Sequence, residues 1–570
     1  MAAVVDKDGC NILAGLLVRH GVKTAILSPG SRNAPIVVSL ARNNEIETRV
    51  VVDERSAAFI ALGVAEITGG PVAIVCTSGT ALLNYAPAVA EAYYKHLPLI
   101  VISADRPAEW IDQDDSQTMR QLGTLTNFVK KTYALKAECA DRTEVWWLNR
   151  EINDAMITAC RDCRGPVHIN MSVDEPLTPM TAESRWNDER FIAVTRPRED
   201  APLGEIRWLA SQLGAPRKVM VVAGFMPPDE TLNRALAKLA KMPNFVVLAE
   251  NLSNLRFPDL VSCIDSVLCA IPDADIDKFR PDVVITCGGA LVSRLVKRFL
   301  RQSPGLRHWH IGHNEHTVDC FQSLERRILM NPGVFFSQLS SAMQAHKSFD
   351  IYGTMWKRLR QNSASTHDEF VSSAPWCDLT AFARLYQLIP KGWNLQLSNG
   401  TSIRYSQLFS SDKIARYDCN RGVSGIDGST STAVGASFAY QGVTLLITGD
   451  MSAQYDIGAL ASTLISPNFK MVVFCNGGGA IFRFIGSTSS LPELNEYFAC
   501  GVNLPLEKLC EGYGISFFEA SESADLESAF SDFASEKSRP ALLAIHTDGL
   551  LSAEVLKQYF NRNKSTKLKP

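Results

Sequence analysis

Short apolar runs rich in Val, Ile and Leu alternate with longer amphipathic stretches along this 570-residue chain. No other feature narrows the fold as much. Runs of about four to eight such residues, closed by Gly, Pro, Asn or Asp, suit strands buried on both faces, and strands of that kind belong to parallel sheets with helical crossovers. In the first third the runs are TAILSPG, TRVVVDE, PVAIVCTSG, PLIVISAD and GPVHINM. The middle third has KVMVVAGF, NFVVLAEN, PDVVITCGG and LRHWHIG, and the last has NLQLSNG, VTLLITGD, FKMVVFCNGG and PALLAIHTD. Polar breaks fall at TRPREDAPLGE and across residues 346–370, and the basic NRNKSTKLKP ends the chain. The expected fold is α/β, with three doubly wound parallel-sheet domains over residues 1–190, 200–346 and 375–570. The outer two look architecturally alike.

Composition excludes several function classes. A net charge of -3 gives no reason to expect nucleic acid or an anionic membrane as partner. The N-terminal stretch lacks the basic start and long apolar core of a signal peptide, and no run approaches the ~20 apolar residues of a membrane helix. Fourteen cysteines scattered through apparent core segments fit reduced thiols, so a cytoplasmic protein is expected. Cys160 and Cys163 form a lone Cys-x-x-Cys, short of the roughly four ligands of a zinc site. His308, His310, His313 and His316 crowd one segment without helical His-x-x-His spacing. No Gly-x-Gly-x-x-Gly follows a middle-domain strand, which argues against a dinucleotide or flavin site there.

Two strand ends carry the chemistry. In GDMSAQYDIGALASTLISPNFKMVVFCNGGG, Asp450 closes one apolar run and Asn476 the next, with glycines around both. The separation suits strand, helix, strand, with Ile457, Leu460, Ala461 and Leu464 on one helical face. Ligands of parallel sheets gather at such carboxyl ends. A carboxylate and an amide oxygen are hard ligands for Mg²⁺, which shares its shell with phosphate and water. Glycines let backbone approach a diphosphate. Arginines recur at strand ends as well: Arg32, Arg106, Arg404 and Arg421. Together they imply substrates with more than one carboxylate, since guanidinium forks match carboxylates bidentately.

With this Gly-Asp and asparagine pairing, the chain resembles the thiamine diphosphate enzymes, which have pyrimidine-binding, central and diphosphate-binding domains. The resemblance implies thiamine diphosphate with Mg²⁺ or Mn²⁺, held by Asp450, Asn476 and a backbone carbonyl, that of Gly478. Where the family pairs two asparagines, this chain has Cys475-Asn476. Glu54, in RVVVDERSAAF, is implied to bond N1′ of the aminopyrimidine, with Asp53 the weaker choice. Within that superfamily SPGSRNAPI, SADRP, NRGVSGIDG and GDMSAQYDIGAL resemble the menaquinone-pathway branch, whose substrates are 2-oxoglutarate and isochorismate. The resemblance implies Ser31, Arg32, Arg106, Gln117 and Arg294 for isochorismate, and Arg404 and Arg421 for the ketoacid carboxylates. It also implies Ile426 wedged beneath the cofactor, and Asn399, Gly400, Ser424, Met451 and Ser452 around it. Ser398-Asn399-Gly400 stands where the family has Gly-Asn-Ser, so a backbone contact replaces a hydroxyl. A homodimer or homotetramer is implied too. A simpler 2-ketoacid decarboxylase shares Glu54, Asp450 and Asn476 without needing the arginines. A scaffold that has lost the cofactor is the remaining alternative.

Overall fold

A computed structural model describes residues 3–186, 189–195, 199–214, 216–343, 351–462 and 465–562. Parts of both expected breaks (196–198 and 346–350), Leu464 and the basic tail from 563 lie outside the described residues. The chain divides into two compact units, Met1–Arg196 with Gly422–Gln441 and Tyr455–Phe469, and Pro197–Arg421 with Gly442–Gln454 and Lys470–Pro570. Among the described residues no helix is long and apolar enough to cross a membrane.

The first unit holds a six-stranded sheet: β1 (Thr24–Leu27), β2 (Glu47–Val50), β3 (Val72–Cys76), β4 (Leu99–Asp105), β5 (Thr132–Lys136) and β6 (Val167–Ser172), ordered β2-β1-β3-β4-β6-β5 with every pairing parallel. Leu13, Leu16, Ile100, Ile102, Ile152 and Ile169 are among its core residues, each fully buried or nearly so. Full burial of such a side chain contributes about 1.5–3 kcal/mol. Helix α1 (Glu54–Thr68) begins at an Asp53 cap that accepts the Ser56 N–H, and ends at left-handed Gly69. Helix α2 (Ala81–Lys95) follows β3. Helix α3 (Ser429–Ala439) comes from far along the chain and packs closely on α1. The pair touches through glycine: a Cβ at Gly63 would lie 2.0 Å from the Thr432 carbonyl, and one at Gly435 would lie 1.9 Å from that of Ile60.

The second unit contains two parallel sheets. The five-stranded one has β7 (Val219–Ala223), β8 (Phe245–Ala249), β9 (Val283–Cys287), β10 (Arg307–Ile311) and β11 (Leu324–Ile328), ordered β8-β7-β9-β10-β11. The six-stranded one has β12 (Asn394–Leu397), β13 (Arg416–Cys419), β14 (Thr444–Gly449), β15 (Phe469–Cys475), β16 (Ser516–Ala520) and β17 (Ala541–His546). Its order, β13-β12-β14-β15-β17-β16, repeats that of the first unit's sheet strand for strand.

Two expectations are corrected here. The second break is largely a helix, Tyr352–Ser373, whose buried residues are Tyr352, Gly353, Trp356, Leu359 and Ser363. Trp356 meets Phe279 and Phe299 edge-on, and His367 bonds the Tyr559 hydroxyl at 2.7 Å. So a mostly polar helix ties the middle-sheet core to the C-terminal helix. The crossover after Asp450 is not one continuous helix either. A short helix, Asp450–Tyr455, gives way to a 3₁₀ turn at Ile457–Ala461. Asp456 makes the break by accepting the Ser431 N–H at 2.6 Å and its hydroxyl at 2.7 Å.

Candidate active site

All three sheets reverse their winding between the first and third strand in chain order, and such a switch point opens a crevice at the carboxyl ends. In the five-stranded sheet that crevice is closed. Gly224 and Gly289 meet backbone to backbone, and the Phe225 ring lies against Gly289. Gly289 N–H donates to the Phe225 carbonyl at 2.8 Å. His308 and His310, on β10 of this sheet, are buried and both bond the Thr286 hydroxyl. In the C-terminal sheet Asp450, Cys475 and Gly477 line a cavity together with Glu519 and His546.

Asp450 and Asn476 end the neighbouring strands β14 and β15, as expected. Asp450 Oδ2 accepts the N–H groups of Gly477 and Gly478 at 2.9 and 3.0 Å, and Oδ1 accepts that of Met451 at 2.8 Å. The carboxylate thus pins the glycine loop of the next strand to its own. Burial raises its pKa while these bonds lower it. Asn476 is buried and gives its amide N–H to Asp378 Oδ2 at 2.9 Å, while its own Oδ1 has no partner among the described residues. A buried amide oxygen without a donor costs free energy unless something electropositive faces it. Gly478 has φ of +112°, and its carbonyl accepts the Ala480 N–H at 2.7 Å with a second lone pair left. Burial pushes the Cys475 thiol up to about 12, so it stands protonated at the position beside Asn476 where the sequence resemblance has a second amide. Among the described residues no three His, Cys, Asp or Glu side chains gather for a metal. A cation here would rely on one carboxylate with amide and backbone oxygens, which suits Mg²⁺.

Three arginines of the same unit converge. Burial first, and then the charges of Arg421 and Arg294, push Arg404 below the ordinary guanidinium value. Arg421 Nη1 donates to Asn399 Oδ1 at 2.9 Å, and its buried Nε has no partner among the described residues. Asn399 in turn bonds the Asn420 carbonyl at 2.6 Å, and Gly400 follows in a left-handed conformation. Arg294 opens a helix capped by Ser293, whose hydroxyl also bonds Asp265. Glu250 takes the Val292 and Ser293 N–H groups at 2.9 and 2.7 Å, and burial raises it to about 7. Sequence reading missed Glu250 and Asp265. Each is a single acid with nothing local to mark it.

In the first unit Glu54 is half-buried at the start of α1, in its first turn. Arg32 is buried, donating to the Val173 carbonyl at 3.0 Å and pairing with Glu175 at 3.1 Å, while Ser31 beside it is exposed. Arg106 pairs with Asp115, and Gln117 donates to the Ser78 carbonyl at 3.2 Å. A missed residue, Gln121, knits this edge together: it accepts the Gly79 N–H at 2.7 Å and donates to Ala104 and Asn170. The glycine-rich loop with Ser424 and half-buried Ile426 rests on another missed residue, Glu91 of α2. Its two oxygens accept the Gly422 and Val423 N–H groups at 2.6 and 2.7 Å. The one sequence cue was an acid inside the apolar AVAEAYY. Met451 and Ser452 follow Asp450 in its short helix.

Three family models match in succession: the thiamine pyrophosphate enzyme N-terminal TPP binding domain over residues 7–124, the middle domain of thiamine pyrophosphate over 208–396, and the C-terminal TPP binding domain over 400–545. The chain belongs to the thiamine pyrophosphate enzyme family. Its three parallel sheets are the family's three domains. Among relatives, a Porphyromonas gingivalis protein is 40% identical over 97% of both chains. One from Flavobacterium johnsoniae is 37% identical over 95% of this chain and 96% of its own. A third, from Bacteroides thetaiotaomicron, is 33% identical over 98% and 99%. All three carry the name 2-succinyl-5-enolpyruvyl-6-hydroxy-3-cyclohexene-1-carboxylate synthase.

Proposed function

We propose that this chain is a thiamine diphosphate- and Mg²⁺-dependent (or Mn²⁺-dependent) transferase of menaquinone biosynthesis. It decarboxylates 2-oxoglutarate and adds the remaining four-carbon unit to isochorismate by conjugate addition, giving 2-succinyl-5-enolpyruvyl-6-hydroxy-3-cyclohexene-1-carboxylate and CO₂. The observation that carries this reading is the grouping of Arg294, Arg404 and Arg421 near one another beside the buried acids Asp265 and Glu250, with more guanidinium groups than one carboxylate needs. The names of near full-length relatives support it.

The cofactor supplies the electron sink for decarboxylation. The chain binds, orients and shields. Asp450, the free Asn476 Oδ1 and the Gly478 carbonyl hold the cation. Glu54 takes the aminopyrimidine, Ile426 supports it from below, and Asn399, Gly400, Ser424, Met451 and Ser452 surround it. Arg404 and Arg421 hold the ketoacid. Ser31, Arg32, Arg106, Gln117 and Arg294 hold isochorismate, whose carboxylates would compete with Glu175 and Asp115 for their guanidinium partners. The domains run over 1–190, 200–346 and 375–570. The working form is a cytoplasmic homodimer or homotetramer in which Glu54 of one subunit serves the cation cradle of another.

Product mass spectrometry tests this. Purified protein receives thiamine diphosphate, Mg²⁺, isochorismate and either 2-oxoglutarate or pyruvate. A succinyl-bearing adduct with 2-oxoglutarate alone is expected. Decarboxylation without coupling would make the chain a simpler 2-ketoacid decarboxylase. Folded protein inert in both mixtures would refute both.

A further inference from the structure

An amide has two ends of nearly equal size and opposite polarity, and only the oxygen end can ligate a cation. The cradle therefore works only if something fixes which end of Asn476 faces it. Asn476 lies one residue beyond the Cys475–His546 pairing of β15 and β17, beside Thr547, whose N–H continues the ladder to the Cys475 carbonyl at 3.2 Å. Asp378 opens the helix Asp378–Leu388 and is itself buried. Its Oδ1 accepts the Thr547 hydroxyl at 2.6 Å, its Oδ2 accepts the Asn476 amide N–H, and its own N–H donates to the Ser552 hydroxyl at 3.0 Å.

From this geometry we infer that Asp378 is a positioning residue for the cation site: it captures the nitrogen end of Asn476 and so commits Oδ1 to the cradle. Two facts make it more than a buried polar contact. A carboxylate only accepts, so the reverse orientation would set oxygen against oxygen. The Oδ1 it leaves over is also a buried amide oxygen without a partner among the described residues, and it lies beside the Asp450 carboxylate loop. Thr547 completes the arrangement by holding the other carboxylate oxygen. With one amide where the family has two, the orientation of Asn476 is unsupported by a neighbouring asparagine and depends on this relay.

The inference rests on the proposed cation reading, and the test separates the two. Mn²⁺ binding is measured by electron paramagnetic resonance with saturating thiamine diphosphate present, on folded protein as judged by circular dichroism. Asn476→Leu tests the reading itself and should abolish high-affinity Mn²⁺ binding; unchanged binding would sink the reading along with the inference. Asp378→Ala should weaken binding on the order of ten- to a hundredfold, the usual scale for an outer-shell partner. Thr547→Val should weaken it less, in the same direction. The decisive variant is Asp378→Asn, which has the shape of the carboxylate but can donate as well as accept, so it no longer fixes which end of Asn476 faces the cradle. It should weaken Mn²⁺ binding in the same direction as Asp378→Ala while leaving the thermal midpoint nearly unchanged. A purely structural Asp378 predicts normal Mn²⁺ binding in such a folded variant. Loss of Mn²⁺ in Asn476→Leu with normal binding in Asp378→Ala would overturn the inference and leave the cation reading standing. If Asp378→Ala fails to fold, the isosteric Asp378→Asn decides alone, and unchanged Mn²⁺ binding in it overturns the inference.

Discussion

Removing the Glu91 carboxylate should release the glycine-rich loop it carries. Glu91 is 2% exposed, and its oxygens take two consecutive backbone N–H groups at 2.6 and 2.7 Å. No helix or strand ladder competes for these donors, because Gly422 and Val423 precede α3 in irregular backbone. Hydrogen bonds to a charged acceptor contribute about 1.5–3 kcal/mol each. Glu91→Gln keeps one acceptor and turns an amide N–H toward the other donor, so the loop loses about 1.5–3 kcal/mol, and local opening rises roughly tenfold to a hundredfold. Glu91→Ala removes both and raises opening further, by about 3 kcal/mol or more in all. Amide hydrogen exchange read by mass spectrometry on peptides covering 420–428 checks this, with peptides from β3 as reference. The expected order of exchange is Ala, then Gln, then the unsubstituted chain. Equal protection in all three would show that neighbouring packing, and not the carboxylate, holds the loop.

Three shorter predictions follow from the same coordinates. Gly435→Val places atoms where even a Cβ would be 1.9 Å from the Ile60 carbonyl, so α1 and α3 must separate. A loss of at least about 1–3 kcal/mol is expected, read as a lower thermal midpoint, and an unchanged midpoint would show that the helices shift freely. Gly478→Ala meets both the positive φ of +112° and the Ala499 carbonyl at 1.9 Å. Mg²⁺-dependent thiamine diphosphate binding measured by calorimetry should weaken at least tenfold, and wild-type affinity would remove the Gly478 carbonyl from the cradle. His168 is fully buried, and burial lowers its pKa from 6.5 to about 4. Between those values the unfolded chain takes up a proton that the folded chain refuses, so stability falls as pH drops through the window, by up to about 3 kcal/mol. His168→Gln should flatten that fall in denaturant midpoints at pH 4.5 and 7, and parallel curves would assign the acid loss to other groups.

The strands that sequence reading missed are all edge strands, although the edge strands β2 and β8 were located. β5, β11, β13 and β16 had no counterpart among the apolar runs, and each is an edge strand of its sheet. An edge strand need not be buried on both faces. β5 alternates exposed and buried residues in TYALK, and β11 in LERRI carries three charged side chains. The central strands, mostly buried, announced themselves as continuous apolar runs. The helix Tyr352–Ser373 was hidden in the same way. Its core face is a sparse row of Tyr352, Trp356, Leu359 and Ser363 inside a polar stretch, so charge masked a periodicity that packing against Phe279 and Phe299 makes plain.

The site divides along the same line. Asp450, Asn476, Glu54, Arg32 and Arg106 could be proposed because each follows a strand that was recognised as an apolar run, whereas Arg421 follows the missed β13 and Arg294 opens a helix well past β9. Asp378, Glu91, Gln121 and Glu250 could not be proposed in this way. They act on groups 98, 331, 42 and 42 residues away along the chain, through single hydrogen bonds or pairs of them. Such residues fix the groups they bond, yet no local pattern encodes a partner at that distance. What a sequence shows of an α/β site is thus the rim of candidate side chains that follow recognisable strands. The supports beneath that rim are three-dimensional facts, and substitutions there should change affinity and loop protection while every recognisable motif stays intact.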